Sequence, residues 1–539
     1  NPLNLVTNTT LSEGNLKADC TTSNDGAALG TMAVSSGKWY WEVLQTTANA
    51  NNDISMGVME LSRKMAPQAV GTDVYPNSYL YGNDGWNAKY NSTTSTINTY
   101  GAGDIIGWAL DLDGNTLKIY KNNSLEYTYS SGVSGTFTPL VAVDGTSGQS
   151  VTQIANFGQD SSFNGQKTAQ GNGGTGEDFY YSPPTGFKAL TTYNLSVPEI
   201  VDPTKNFNTV LWSGSSSAQA ITGVGFAPTA VWTKRRNSTG SHYLWDQVRG
   251  NAERLEINST GAEETQSGQW TSFDSDGFTL PGGSDATNNS GGTYVAWNWK
   301  AGGAASTNED GSIDSSVSAN TTAGFSIVSW EGTGSNVTVG HGLSQAPELI
   351  INKSRGDSYN WAVQSTLWNS ASDTNMLYLN TNAAQADDTN VFQAAPTSTV
   401  FSPQGGAWSG IGTDDITYIA YCFHSVEGYS KVGSYTGNGN ADGPFLYTGF
   451  RPAFVMFKDL GSTGGSNNWA ILDNKRITYN LNDYVLMPNA NDADYHHDSG
   501  IDFVSNGIKI RSSNGMWNDA DSYLYIAFAE SPFKYSNAR

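Results

Sequence analysis

Apolar and polar residues alternate along much of this chain. Trp39-Tyr40-Trp41-Glu42-Val43-Leu44 and Ile106-Gly107-Trp108-Ala109-Leu110-Asp111 are such segments. Alternation at period two marks a strand with one buried face. Gly, Asn and Asp bound these segments. Asp113-Gly114 stands between the second segment and Leu117-Lys118-Ile119-Tyr120. That arrangement predicts a hairpin, because glycine accepts the positive φ of a tight turn. Ser275-Asp276-Gly277-Phe278 and Ser505-Asn506-Gly507-Ile508 predict two more. A capped i, i+3, i+4, i+7 pattern of helical length is missing, so the chain is expected to be all-β.

Other strands read as near-continuous apolar runs: Val231-Trp232, Leu349-Ile350-Ile351 and Phe454-Val455-Met456-Phe457. These suit central strands. They also belong to a frame that recurs every 105 to 119 residues. Each copy has a proline (Pro228, Pro347, Pro452), an apolar run, and a lysine six residues after the proline (Lys234, Lys353, Lys458). A tryptophan follows (Trp245, Trp361, Trp469). Each copy closes on Tyr-x-Ala: Tyr294-Val295-Ala296, Tyr418-Ile419-Ala420 and Tyr525-Ile526-Ala527. An ordered repeat of this kind describes a building unit rather than one catalytic centre. The pattern predicts one β-sandwich per copy. The repeated lysine reads as a strand-end residue covering apolar surface with its stem, the alternative being a ligand-binding lysine in each copy.

With 539 residues the chain exceeds one core, and length suggests roughly three to five domains. The formal net charge is −22 and the pI about 4.5. Such a surface repels phosphate backbones and anionic membranes, so neither nucleic-acid binding nor membrane insertion is expected. Aromatic residues reach 12% of the chain, which separates it from disordered chains of similar polarity. Cys20 and Cys422 fall in different predicted domains, so no disulfide framework is expected. Neither a secretory signal at Asn1-Pro2-Leu3 nor an apolar stretch of membrane-spanning length is seen.

Catalytic and metal-binding patterns are weak. His242, His341, His424, His496 and His497 form no HExxH, and CxxC is lacking. His496-His497 beside Asp492, Asp494 and Asp498 is the best local metal candidate, but adjacent strand residues point to opposite faces, so no metal site is assigned. Asp111-Leu112-Asp113-Gly114-Asn115 and Asp274-Ser275-Asp276-Gly277 echo a calcium loop without its downstream glutamate, and read as turns. Glu331, Asp414-Asp415 and Asp473 are the carboxylates weighed for glycoside hydrolysis, and solvation is their default explanation. No catalytic residue and no cofactor is assigned. Aromatics framed by Asn, Asp, Ser or Gly are the candidate binding residues: Tyr81, Trp86, Tyr90, Trp368, Trp408 and Trp517. A flat apolar face beside polar groups suits a sugar ring, although such tryptophans also close sandwich ends or line subunit interfaces.

Residues 12 to about 190 resemble a SPRY domain, a concanavalin-type β-sandwich used for recognition. The resemblance is carried by Ser36-Gly37-Lys38-Trp39-Tyr40-Trp41-Glu42-Val43, Met56-Gly57-Val58, and the run from Gly103 to Asn123. It continues through Pro139-Leu140-Val141-Ala142-Val143, Asn156-Phe157-Gly158-Gln159 and Pro184-Thr185-Gly186-Phe187-Lys188-Ala189-Leu190. Asn123 stands where that family often has glycine, and asparagine also tolerates positive φ. A SPRY-like module followed by Gly-Phe-x-Pro repeats further resembles phage virion proteins, chiefly tail fibres and other surface appendages. That resemblance implies a non-enzymatic, structural or adhesive protein of the virion surface, assembled in the host cytoplasm and commonly a homotrimer.

Composition shifts give the expected organisation. Residues 1–193 form the SPRY-like sandwich and 194–204 a connector. Residues 205–300, 323–427 and 428–539 form three β repeats, with a linker at 301–322. The expected function is attachment to host-surface glycan or protein, or contact with other virion proteins. A glycan-degrading appendage enzyme and a capsid decoration protein are the alternatives.

Overall fold

The computed structural model describes all residues except 6–7, 22–25, 48–52, 62–77, 90–91, 145–149, 368–374, 388–390, 407–409, 462–466 and 537–539. The described chain is almost entirely β, with two short 3-10 turns at Pro203–Lys205 and Phe533–Tyr535. It divides into two units, Asn1–Ser196 and Val197–Arg539.

The first unit is a sandwich of two antiparallel sheets. One is built on Lys38–Gln45, Ile105–Asp111, Thr116–Lys121 and Ser150–Asn156; the other on Asp53–Glu60, Phe137–Asp144 and Ser78–Gly82. The alternation in Trp39–Leu44 sends Trp41 and Val43 inward, where Trp41 stacks on Trp108 at 6.4 Å. Lys121 pairs with Ser124, so Asn122-Asn123 is a two-residue turn, with φ of 47° and 69°. Asparagine fills both positive-φ places, as the primed turn requires. Residues 112–115 join the paired Asp111 and Thr116, a longer turn than Asp-Gly alone predicts.

Glu42 is buried in this unit and fastens the segment that follows the last long strand. Its carboxylate accepts the Tyr180 and Tyr181 amides at 2.9 and 2.8 Å, the Tyr40 hydroxyl at 3.2 Å and Asn156 Nδ2 at 3.3 Å. Burial pushes the Glu42 carboxyl above its ordinary range, and these donors oppose that. Glu42→Ala orphans both amides and is expected to cost about 2–4 kcal/mol. Thermal unfolding of residues 1–196 checks this.

In the second unit each repeat has an inner and an outer sheet. The inner sheet of the first repeat is built on Phe207–Ser213, Thr293–Trp299, Ala230–Arg235 and His242–Asp246. Phe325–Glu331, Thr417–Phe423, Leu349–Ser354 and Ala362–Ser365 stand in the same order in the second. Ser430–Thr436, Ser522–Pro532, Phe450–Asp459 and Ala470–Asp473 do so in the third. The outer sheets are centred on Gly277–Leu280, Val400–Pro403 and Gly507–Ile510.

The inner sheets are apolar on both faces. Trp232, Trp297, Ile351, Tyr421, Met456 and Ile526 meet in one core shared by all three repeats. Their chain neighbours Val231, Ile350 and Val455 point the other way, into each repeat's own core against its outer sheet. A strand buried on both faces has no reason to alternate, which explains the continuous runs in the sequence. At the centre a cavity of about 40 Å³ is lined by Trp232, Trp299, Ile351, Phe423, Phe454 and Phe528. The repeats are therefore the three sectors of one closed body.

Strand register corrects three sequence assignments. Trp245 opposes Val231, whereas Gln364 and Leu472 oppose the matching Ile350 and Val455. The counterpart of Trp361 and Trp469 is therefore His242. Lys234, Lys353 and Lys458 oppose Val295, Ile419 and Leu524, which makes Tyr523, not Tyr525, the third copy of the shared tyrosine. Tyr294, Tyr418 and Tyr523 stack on Trp212, Trp330 and Tyr435 at 5.3, 4.5 and 4.9 Å. Their hydroxyls accept the amides of Asn289, Thr413 and Asp519 at 2.9, 3.0 and 2.7 Å. Finally, the stretch 301–322 is no bare linker. It supplies Ser306–Asn308 and Ser315–Asn320, which extend the second repeat's inner sheet at its edge.

Candidate functional site

The side chains that the copies share converge on the boundaries between sectors. Lys234, Lys353 and Lys458 are buried outright, which corrects the strand-end reading. Lys353 Nζ donates to Ser354 O and Asp357 O at 2.8 and 3.2 Å in its own repeat, and to Thr260 O of the first repeat at 3.3 Å. Lys458 Nζ donates to Asp459 O and Asn467 O at 2.9 Å each, and to Asn382 O of the second repeat at 3.2 Å. Lys234 Nζ donates to Arg235 O at 2.7 Å and lies in the field of Asp492 and Asp494 of the third repeat.

The tryptophans work the same way. Trp361 Nε1 donates to Glu256 O and Trp469 Nε1 to Tyr378 O, both at 3.0 Å and both in the preceding repeat. His242 takes this place in the first repeat. Trp232 Nε1 donates to its Nδ1 at 2.9 Å, and its ring lies near the Met487 backbone of the third repeat without a full hydrogen bond from Nε2. Each sector thus reaches into the one before it, and the first reaches into the third. The ring closes within one chain.

A third set escaped the sequence reading. The amides of His242, Trp361 and Trp469 donate to Asn258, Asn380 and Asn489 Oδ1 at 2.7, 2.9 and 2.9 Å. Isolated asparagines carry no signal in so Asn-rich a chain, and their distance from the lysine frame differs from copy to copy.

Two of the three boundaries hold buried ion pairs. Between the first and second repeats, Asp246 pairs with Arg249 at 2.5 Å with both side chains fully buried. Tyr421 donates its hydroxyl to Asp246 at 2.6 Å, and Arg355 and Arg249 share Glu263. Between the third and first, Asp473 pairs with Arg476 at 2.6 Å, Trp297 Nε1 donates to Asp473 at 3.1 Å, and Arg236 and Arg476 share Asp494. At the second-to-third boundary the matching positions are Ser365, Ile526, Leu460 and Gln385. The backbone bond survives there, Gln385 N to Leu460 O at 3.3 Å, but those four positions carry no ion pair.

Burial pulls each shared lysine down to about 8. An unfolded lysine titrates near 10.4, so between about pH 8 and 10 the unfolded chain binds more protons. The three lysines therefore drive stability upward with pH in that window. Cys422, whose buried thiol is pushed up to about 12, opposes the trend by at most one proton, and above about pH 9 the buried tyrosines, among them Tyr421, Tyr435 and Tyr525, oppose it as well, because burial raises their hydroxyls. The midpoint of residues 197–539 is expected to climb from about pH 8 to 9, and Lys353→Met to flatten the slope by roughly half to one proton equivalent. Urea titrations at stepped pH measure this.

The remaining candidates are scattered. Tyr81 is fully buried and donates to the Asn98 carbonyl, and Trp517 is fully buried against His497, so neither offers a ring face to a solute. Trp86 is half-buried against the Leu80 cluster. Tyr90, Trp368 and Trp408 lie outside the described residues. His341 and His424 are buried in separate hydrogen-bond sets. Asp276 accepts the Gly223 and Gly225 amides, and Asp111 holds Lys38, so both turn carboxylates are engaged within the protein. Glu331 and Asp414-Asp415 are exposed, while Asp473 is consumed by Arg476. Among the described residues no group of His, Cys, Asp and Glu has the geometry of a metal site.

His496 and His497 do diverge. His497 turns to Trp517 and Ser499, while His496 pairs with Asp483 at 3.2 Å and sits edge-on to Tyr484 at 5.3 Å. Asp483, Tyr484 and His496 form a partly exposed polar-aromatic patch on the outer sheet of the third repeat. Tyr495, 52% exposed, stands beside it on the same pair of strands.

Comparison with known proteins bears on both units. A family model for the SPRY domain matches residues 38–160. Among solved structures, the chain is similar to the SPRY domain of human HERC1 at 20% identity, covering 27% of this chain and 91% of that one with a TM-score of 0.24. It is similar to the TRIM65 PSpry domain at 15% identity, covering 29% and 89%, TM-score 0.23. It is also similar to stonustoxin at 17% identity, covering 29% and 26%, TM-score 0.23. No curated protein matches the chain. A second family model, described as a domain of unknown function (DUF7483), matches residues 202–532, the whole three-sector ring, and the chain therefore belongs to the DUF7483 family.

Proposed function

We propose that this is a non-catalytic phage virion protein, a surface or tail appendage that assembles as a homotrimer and contacts host-surface glycan or neighbouring virion proteins. The observation that carries the reading is the fate of the shared residues. Lysine, tryptophan, asparagine and tyrosine recur because they close the ring, and so they are spent on scaffold. Whatever the protein recognises must be met by what differs between sectors, such as the Asp483-Tyr484-His496 patch, or by the SPRY-like unit. Weak contacts repeated on an oligomer would bind tightly through effective concentration.

The test is a bacterial-surface glycan panel and a pull-down of purified particles, both with the full chain. Saturable binding that Tyr484→Ala weakens about tenfold supports attachment through the third repeat. Binding to particles alone moves the assignment to decoration, and loss of polysaccharide viscosity on incubation defeats the non-catalytic reading.

A further inference from the structure

His242 departs from the tryptophan rule of the sector boundaries, and it does so where the third repeat closes on the first. The second and third sectors hold Trp361 and Trp469 at this place, with Ile351 and Met456 two residues before their shared lysines. In the first sector Trp232 stands at the Ile351 position, and an imidazole replaces the tryptophan. The Trp232 and His242 rings meet edge-on at 5.8 Å. Moving the large ring across the pair keeps the volume. It also puts a titratable group into a fully buried boundary.

An indole N–H can only donate. The bond from Trp232 Nε1 to His242 Nδ1 at 2.9 Å therefore fixes a neutral imidazole with its proton on Nε2. A second proton must go on Nδ1, where it would set N–H against N–H and leave both donors buried without an acceptor. The surroundings do not favour the cation. Lys234 is the cross-strand partner of His242. Arg476 of the third repeat lies over Trp297 at 5.7 Å, the same indole on which His242 stacks at 6.4 Å. The nearby carboxylates are engaged elsewhere: Asp473 and Asp494 hold Arg476, Asp492 acts on Lys234, and Glu256 accepts Ser241 and Asn258. Burial, Lys234 and Arg476 hold the imidazole well below its ordinary value, with the Met487 backbone opposing them. A histidine kept neutral by the fold stabilises it above the unfolded pKa, near 6.5, and that contribution is lost as pH falls below it.

We propose that His242 is an acid-sensitive latch: on taking up a proton it opens the third-to-first boundary, while the boundaries closed by Trp361 and Trp469 stay shut. The device is independent of the attachment reading above. Hydrogen exchange on the full chain, resolved to single amides, tests it. The Asp494 amide donates across the third-to-first boundary to Arg236 O at 2.7 Å, and the Glu263 amide across the first-to-second to Arg355 O at 2.9 Å. Corrected for intrinsic rates, protection of the Asp494 amide is expected to fall about tenfold from about pH 7 to 5.5, and that of Glu263 by less than about twofold. This window lies above the ordinary carboxylate range. His242→Gln keeps an acceptor for Trp232 and cannot titrate, so it should abolish the fall. Trp232→Ile combined with His242→Trp copies the second sector and carries the same expectation with different packing. An Asp494 amide equally protected at both pH values, an equal fall at Glu263, or a fall that persists in either folded variant would overturn the proposal.

Discussion

Removing the third repeat is expected to unfold the other two. A chain of residues 197–427 would leave Phe207, Trp297, Trp299 and Phe423 facing water where they now meet Phe454 and Phe528. The aromatic pairs broken include Phe207–Phe528 at 4.8 Å, Phe207–Phe454 at 5.5 Å and Trp297–Phe454 at 5.8 Å. Four large side chains at about 1.5–3 kcal/mol each come to on the order of 10 kcal/mol. That matches the whole stability of an ordinary domain, about 5–15 kcal/mol. The truncation also orphans Asp473's partner Trp297 and the Asp494 contact of Arg236. Dye binding and loss of near-ultraviolet circular dichroism would report the collapse. A three-bead string of independent sandwiches would instead lose one bead and keep two.

The second large effect is electrostatic. Asp473→Ala takes from the buried Arg476 guanidinium its closer carboxylate and leaves it only Asp494 at 3.0 Å, so the cost is expected toward the lower end of the about 3–5 kcal/mol that breaking a buried pair costs. Burial alone would raise the Asp473 carboxyl, but Arg476 and the hydrogen bonds around it outweigh burial and hold it below the usual carboxylate range. A carboxyl depressed in the folded state stabilises above its unfolded pKa, and that contribution is lost as pH falls through the folded value. The wild-type ring should therefore weaken below about pH 4 and the alanine variant should show less of that acid dependence. Ser365→Ala, at the equivalent place on the boundary without these ion pairs, removes the hydroxyl's bond to Glu348 O and its acceptance of the Leu367 amide, and should cost about 1–2 kcal/mol. The denaturant midpoint of residues 197–539 should shift further for Asp473→Ala than for Ser365→Ala.

The sequence reading reached the fold through patterns that local chemistry enforces. Hairpins near Asp276-Gly277 and Asn506-Gly507 were legible from their turn residues, but Gly277 pairs with Asp274 and Gly507 with Val504, so the turns are Ser275-Asp276 and Ser505-Asn506, one residue earlier than the Asp-Gly and Asn-Gly steps imply. The buried runs were legible as central strands, but the shared core between them was not. A strand apolar on both faces does not say what lies beyond each face. The tyrosine assignment failed for a packing reason. The third copy puts Tyr525 where the others have Ala296 and Ala420, and Gly433 opposite it where they have Val210 and Val328. A Cβ on Gly433 would run into the Tyr525 ring. The pair keeps its volume by exchanging a large residue across the sheet, and a motif search saw only the tyrosine. The lysines were found but misjudged, because sequence shows a charge at a strand end and not the carbonyls waiting for it across a boundary. Of the loop aromatics, Tyr81 and Trp517 proved buried, since polar neighbours in sequence do not fix which way a ring turns.

The central claim is that residues 197–539 form one cooperative ring and not three domains in series. Differential scanning calorimetry of that segment tests it directly. One transition is predicted, with van't Hoff and calorimetric enthalpies equal. Two or three resolved transitions, or a van't Hoff enthalpy near one third of the calorimetric value, would contradict it.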